Sequence, residues 1–202
     1  MTAPPPLPSW ANRPTPGPPA PGSPADQLLA AFIGPRWETY RRKFRPFFED
    51  ARFTPTWNWA AALSPLLGGP FWFVYRKLYV PALAFWLLPS LVMGLLWQGQ
   101  AVSVQEVLAP ARSPRAQEFL LMVSGVQLST MILAGGTANF LLFRRAQAAL
   151  RVVTARAGAG DAAIALLARV GRVNRGGVLI VVAFIAIMIA MSQLGVVAPA
   201  PR

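Results

Sequence analysis

Acid–base or metal chemistry in a membrane needs paired carboxylates, a histidine-rich metal site, or a serine beside a base. This chain offers seven carboxylates, Asp26, Glu38, Glu49, Asp50, Glu106, Glu118 and Asp161, and neither cysteine nor histidine. Thiolate chemistry, disulfides, Cys/His metal sites and haem held through histidine are thereby excluded. Glu49 and Asp50 are adjacent, which points their side chains apart on a helix and makes a poor catalytic pair. No carboxylate falls inside a long apolar run, and Glu118 stands at the edge of one. No P-loop, HExxH or nucleophile elbow is present. The expectation is a protein that is not an enzyme and holds no cofactor or metal.

A polar run in an otherwise apolar stretch is the next place to look. Ser124, Gln127, Ser129, Thr130, Thr137 and Asn139 are interleaved with Gly125, Gly135 and Gly136. One reading is a hydrated path or substrate groove, as in a small transporter or channel built by oligomerisation. The favoured reading is helix packing, where small residues let backbones approach and polar side chains bond across. Ala186 and Ala190, four residues apart, suit the same role. These positions are the candidate surface for a membrane partner or for self-association.

The third resource is positive charge. Nineteen Lys and Arg against seven Asp and Glu give a net charge of +12. Such an excess fits nucleic acid, but the cations alternate in blocks with apolar runs and no RNP-like or zinc motif accompanies them. No nucleic-acid partner is expected; anionic phospholipid is. Trp37, Tyr40, Phe44, Phe47 and Phe48 follow a 3–4 spacing and share one helical face, with Arg36, Arg41, Arg42, Lys43 and Arg45 on the rest. That pattern describes a helix at a membrane surface. It equally describes a helix packing its aromatics onto the rest of the chain. Arg36, Trp37, Arg41, Arg42, Lys43, Arg45, Trp72, Arg76 and Lys77 are the candidate lipid contacts.

The elements that must position these groups follow from composition. The chain is 54% hydrophobic and 13% charged, whereas about a quarter of a soluble domain is charged. Ten prolines in residues 1–25 predict a disordered tail. Its Pro4-Pro5-Pro6-Leu7-Pro8 run is a tether or a ligand for an aromatic groove. It lacks the basic-then-apolar pattern of a cleaved leader, so the spans are expected to direct insertion. Residues 26–56 read as a cytoplasmic amphipathic helical region, opened by Ser23 as cap, Pro24 at the first position and Asp26 three residues on. Spans are predicted at 78–97, 118–143 and 176–197, each long enough for a bilayer. Between them lie a periplasmic loop, 98–117, with a capping-box pattern at Ser103–Glu106, and a basic cytoplasmic helical linker, 144–175.

Orientation follows from the cations. Residues 1–77 carry nine and the 144–175 linker seven, against two in the 98–117 loop and one in the tail. The positive-inside rule puts the N-terminus and linker in the cytoplasm and the C-terminus outside. Residues 57–77 are apolar enough to tempt a fourth span, but crossing there would carry the seven-cation linker to the wrong side. Pro65, Gly68, Gly69 and Pro70 would also leave backbone groups unpaired in hydrocarbon. The segment is predicted as a re-entrant or interfacial hairpin on the cytoplasmic side, turning at Gly68-Gly69-Pro70.

Trp57-Asn58-Trp59, Gly69-Pro70-Phe71-Trp72 and Tyr75-Arg76-Lys77-Leu78-Tyr79 resemble a family of small bacterial membrane proteins, the domain of unknown function 2628. Gly136-Thr137-Ala138-Asn139 and Gly176-Gly177-Val178-Leu179 are weaker matches. The resemblance covers roughly residues 27–195. It implies a bacterial inner-membrane protein and carries no established activity. The fold class expected is all-α and integral to the membrane: three spans, a cytoplasmic-side hairpin and a disordered N-terminus. The function expected is an accessory or scaffold subunit.

Overall fold

The computed structural model describes residues 17–49, 53–65, 70–97 and 113–193. Residues 1–16 of the expected tail, the hairpin apex at 66–69, the Ser103–Glu106 capping box and residues 194–202 lie outside the described residues. All regular structure among the described residues is helical: α1 Pro24–Ile33, α2 Trp37–Glu49, α3 Trp59–Leu63, α4 Phe71–Tyr75, α5 Tyr79–Trp97, α6 Pro114–Ala157, α7 Asp161–Gly171 and α8 Arg175–Gln193. They form two compact units, one of residues 1–55 with 143–171 and the other of 56–142 with 172–202.

The first unit is built on the start of α1. The Ser23 Oγ accepts from the Asp26 amide at 3.3 Å, and Asp26 Oδ2 accepts from the Gly22 amide at 3.0 Å. One of the amides that a helix start leaves unpaired is thus satisfied, as the Ser-Pro-Ala-Asp sequence predicts, while Asp26 reaches past the cap to the residue before it. Leu28, Leu29, Phe32 and Ile33 bury the inner face of α1. On α2 the aromatic stripe is buried along its whole length, and Phe44 is fully enclosed. Its ring lies 6.2 Å from Trp37, 5.6 Å from Tyr40 and 5.3 Å from Phe143, mostly edge-on or tilted, as aromatic quadrupoles favour. Phe143 also meets Phe47 and Phe48 at 5.4 and 4.8 Å. Of the two sequence readings of this helix, packing onto the chain accounts for the aromatic face.

α7 closes the unit against α1, burying Ala163 and Leu167. Its last residue, Gly171, leaves no room for a side chain, because a β-carbon there would overlap the Phe32 carbonyl. Gly171→Ala is therefore expected to destabilise this unit by about 1–3 kcal/mol through overpacking, read as faster hydrogen exchange in α1 and α7.

The second unit contains the apolar helices. Three helices are long and apolar enough to cross a membrane: α5, α6 and the stretch that includes α8. Almost none of α5 or α8 is buried; Val80, Leu91, Leu95, Leu179 and Ile180 lie wide open. So much outward apolar surface fits hydrocarbon as the solvent and marks a membrane protein. α5 begins one residue after its predicted start, and α8 one residue before. α6 differs from expectation in its length. The helical linker expected over 144–175 does not begin as a separate element, because α6 runs 44 residues without a break. Ser113 Oγ caps its start by accepting from the Ala116 amide at 3.2 Å. Nothing from Phe143 to Ala157 is a helix breaker, and Gly158, at φ 70°, ends it as a left-handed glycine does.

Candidate functional site: an asparagine junction and its grooves

In the second unit the chain from Thr56 to Leu63 docks on α6 through Asn139, which is fully buried. Asn139 Oδ1 accepts from Asn58 Nδ2 at 2.8 Å. Asn139 Nδ2 lies 2.9 Å from the Thr56 carbonyl, 3.1 Å from its hydroxyl and 3.3 Å from the Trp57 carbonyl. The Asn58 amide donates to the Gly135 carbonyl at 3.0 Å. Asn58 Oδ1 also accepts from the Ala61 amide at 3.2 Å and so caps α3. A side chain at Gly135 would begin 2.8 Å from the Ala62 methyl and 2.9 Å from the Trp57 ring. Glycine there lets the docked segment lie directly on the helix.

α3 and α4 are joined end to start, the Ser64 hydroxyl accepting from the Trp72 amide at 3.1 Å. α4 closes with a Schellman pattern. The Leu78 amide donates to the Phe73 carbonyl at 2.7 Å, and the Lys77 amide to the Val74 carbonyl at 2.9 Å. Lys77 takes the left-handed position, φ 56°, where glycine is usual. The Tyr75 carbonyl then accepts from the Asn174 amide at 2.8 Å. Asn174 Nδ2 lies 3.1 Å from the Tyr79 hydroxyl, and its Oδ1 caps α8 through the Gly177 amide at 2.9 Å. Two asparagines thus fasten the 56–79 segment to α6 and to the head of α8.

Two apolar grooves flank these contacts. One, about 430 Å³, runs between α5 and α6 and is lined by Pro89, Val92, Met122, Gly125, Ser129 and Thr130, among others. A second, about 370 Å³, is lined from α4, α5 and α8 by Val74, Tyr79, Leu83, Trp86 and Phe184, among others. Two polar side chains of the second predicted span bond carbonyls of their own helix. Thr130 and Thr137 hydroxyls donate to the Val126 and Leu133 carbonyls of their own helix, at 2.8 and 2.6 Å.

The sequence-predicted residues fall into two sets. Asn139, Gly135 and Thr130 are buried within the unit, Gly136 and Gln127 are half-buried, and Gly125 and Ser129 border the first groove. Ala186 and Ala190 are exposed. Of the lipid candidates, Arg36, Arg42 and Arg45 are exposed and Lys43, Arg41 and Lys77 half-buried. Trp37, Trp72 and Arg76 are buried. Trp37 Nε1 donates to Asp26 Oδ1 at 2.9 Å, and Arg41 stands 3.6 Å from the same oxygen. These three hold the first unit together. The Arg76 guanidinium stacks on Tyr75, 5.9 Å from the ring centre. Partial burial pulls the Lys43 ammonium below the ordinary lysine range, and Arg45 is bonded to Glu49 at 2.6 Å.

Sequence reasoning missed Asn58, Asn174 and Asp26 as fastening points. A signal existed for Asn139, since an amide in an apolar helix must find partners. Comparisons with protein-family models, with characterised proteins and with solved structures give no match.

Proposed function

We propose that this chain is a non-enzymatic accessory or scaffold subunit of the bacterial inner membrane. Its N-terminus is cytoplasmic and its C-terminus periplasmic, as the distribution of cations argues. Residues 57–77 form a re-entrant or interfacial hairpin on the cytoplasmic side. Exposed Arg36, Arg42 and Arg45 contact anionic headgroups. The resemblance to the domain of unknown function 2628 belongs to the same reading. Asn58, in the resembling Trp-Asn-Trp block, and Asn139, in the Gly-Thr-Ala-Asn block, are bonded to each other.

The observation that carries the reading is the use made of the polar groups in the second span. Asn139 spends its amide on residues 56–58, and Thr130 and Thr137 bond their own helix. A solute path needs such groups facing a common lumen. What α5 and α6 leave outward is an apolar groove with a small-residue floor at Gly125, the kind of surface that receives a neighbouring helix.

The test is purification of a tagged chain at native abundance in mild detergent, with reconstitution in proteoliposomes. Recovery in fixed stoichiometry with a larger membrane assembly, and no ion or solute flux from the purified chain, is expected. A homo-oligomer that conducts, and loses conduction on Gln127→Ala, would replace this reading with a channel.

A further inference from the structure

The second groove has a property the first lacks. Its apolar walls lead to a positively charged mouth. Tyr79 lines the groove, and its hydroxyl is bonded to Asn174. Asn174 is flanked in sequence by Arg172 and Arg175, both exposed, while Lys77 lies two residues before Tyr79. The starts of α5 and α8 are therefore fastened side by side, with Lys77, Arg172 and Arg175 within two residues of the fastening along the chain. Further along, Trp86 and Phe184 of the lining meet edge-on at 6.0 Å. From Tyr79 to Trp86 is about 10 Å of helix at the standard rise. Among the described residues of this unit, the one carboxylate is Glu118. It sits at the start of α6, beside Phe119, which meets Trp97 at the opposite end of α5. No acid among the described residues of the unit stands beside Asn174 in the chain.

From this juxtaposition we propose that the groove between α4, α5 and α8 is a binding site for one anionic phospholipid. An acyl chain lies along Val74, Leu83, Trp86 and Phe184, and the phosphate is held by Arg172 and Arg175. Charge complementarity selects the occupant. A neutral apolar helix would gain nothing from the cations, and a soluble anion nothing from a groove whose walls are almost wholly apolar. Tyr79 sits where a phospholipid's glycerol region falls, with its ring in the groove and its hydroxyl among the polar groups. The site differs from the headgroup contacts proposed for Arg36, Arg42 and Arg45, though it rests on the same membrane reading.

The experiment is native mass spectrometry of the full chain released from nanodiscs of dioleoyl phosphatidylglycerol mixed equally with dioleoyl phosphatidylcholine. The wild type is expected to retain one phosphatidylglycerol, preferred about tenfold over phosphatidylcholine. Arg172→Gln with Arg175→Gln should remove the preference. Ala82→Leu, which fills the groove without changing charge, should remove retention of both lipids. Arg151→Gln with Arg169→Gln, the same loss of charge at exposed positions outside this unit, should leave the retained lipid in place. A tenfold preference that survives the Arg172/Arg175 change would overturn the site. So would retention unaffected by Ala82→Leu, or displacement of the lipid by millimolar inorganic phosphate. Failure to recover a partner assembly while lipid retention behaves as expected would refute the accessory reading and leave the lipid site standing.

Discussion

Asn139→Leu should be the most disruptive single change in the second unit, lowering its stability by about 2–4 kcal/mol. The substitution strands the Asn58 amide group and withdraws a donor from the Thr56 and Trp57 carbonyls. Each buried group left unpaired costs about 1–3 kcal/mol. Membrane proteins discount such bonds, because the unfolded chain in lipid also finds partners, and the range given includes that discount. The direct observable is hydrogen exchange of the Asn58 amide, which donates to the Gly135 carbonyl. A loss of about 3 kcal/mol raises its exchange rate roughly a hundredfold, at 1.4 kcal/mol per factor of ten. Asn58→Ala should cost little further when added to Asn139→Leu, because the two residues act as one unit. An exchange rate within threefold of wild type would show that the docked segment is held by packing alone.

The first unit is expected to fail at Phe44. The side chain is fully enclosed and touches four other rings. Phe44→Ala removes that burial and leaves a cavity, at a cost of about 3–5 kcal/mol. Near-ultraviolet circular dichroism should lose the aromatic signal of α2, and amides of α1 and α2 should exchange faster. Amides of α5 should not change, since that helix belongs to the other compact unit. Phe44→Leu keeps most of the volume and should cost less than half as much. Equal effects of the two substitutions would argue against a close-packed aromatic core.

The aromatic stripe of α2 was legible because a 3–4 repeat of rings leaves no alternative to a helix with one apolar face. What that face packs on was not legible. Phe143 lies far along the chain, and a periodicity points to a buried side without naming its neighbour. The three apolar runs were equally plain, since length and lack of charge suffice. The end of the second span misled about helix boundaries for a physical reason. Arg144-Arg145 marks a change of solvent, yet arginine and alanine are good helix formers, so α6 continues through it. Asn139 was visible as an amide inside an apolar run, whereas Asn58 and Asn174 were not singled out as fastening points. Their pairings join residues 81 or more positions apart, or link loop to helix head. No local pattern encodes such a pairing.

The distance between Asn58 and Asn139 is also an interval of time. A ribosome adding about 5–20 residues per second needs roughly 4–16 s to reach Asn139 after releasing Asn58, and longer to reach Asn174. Throughout that interval the segment from Thr56 to Tyr79 exists without either of its fastenings, while α5 is already made. Its open carbonyls and amides must meanwhile be satisfied by water or by other polar groups. The junction is therefore made late, by the arrival of α6 at a waiting segment. A stall in synthesis before Asn139 would leave a species with its first long apolar helix complete and its tryptophan-rich segment undocked.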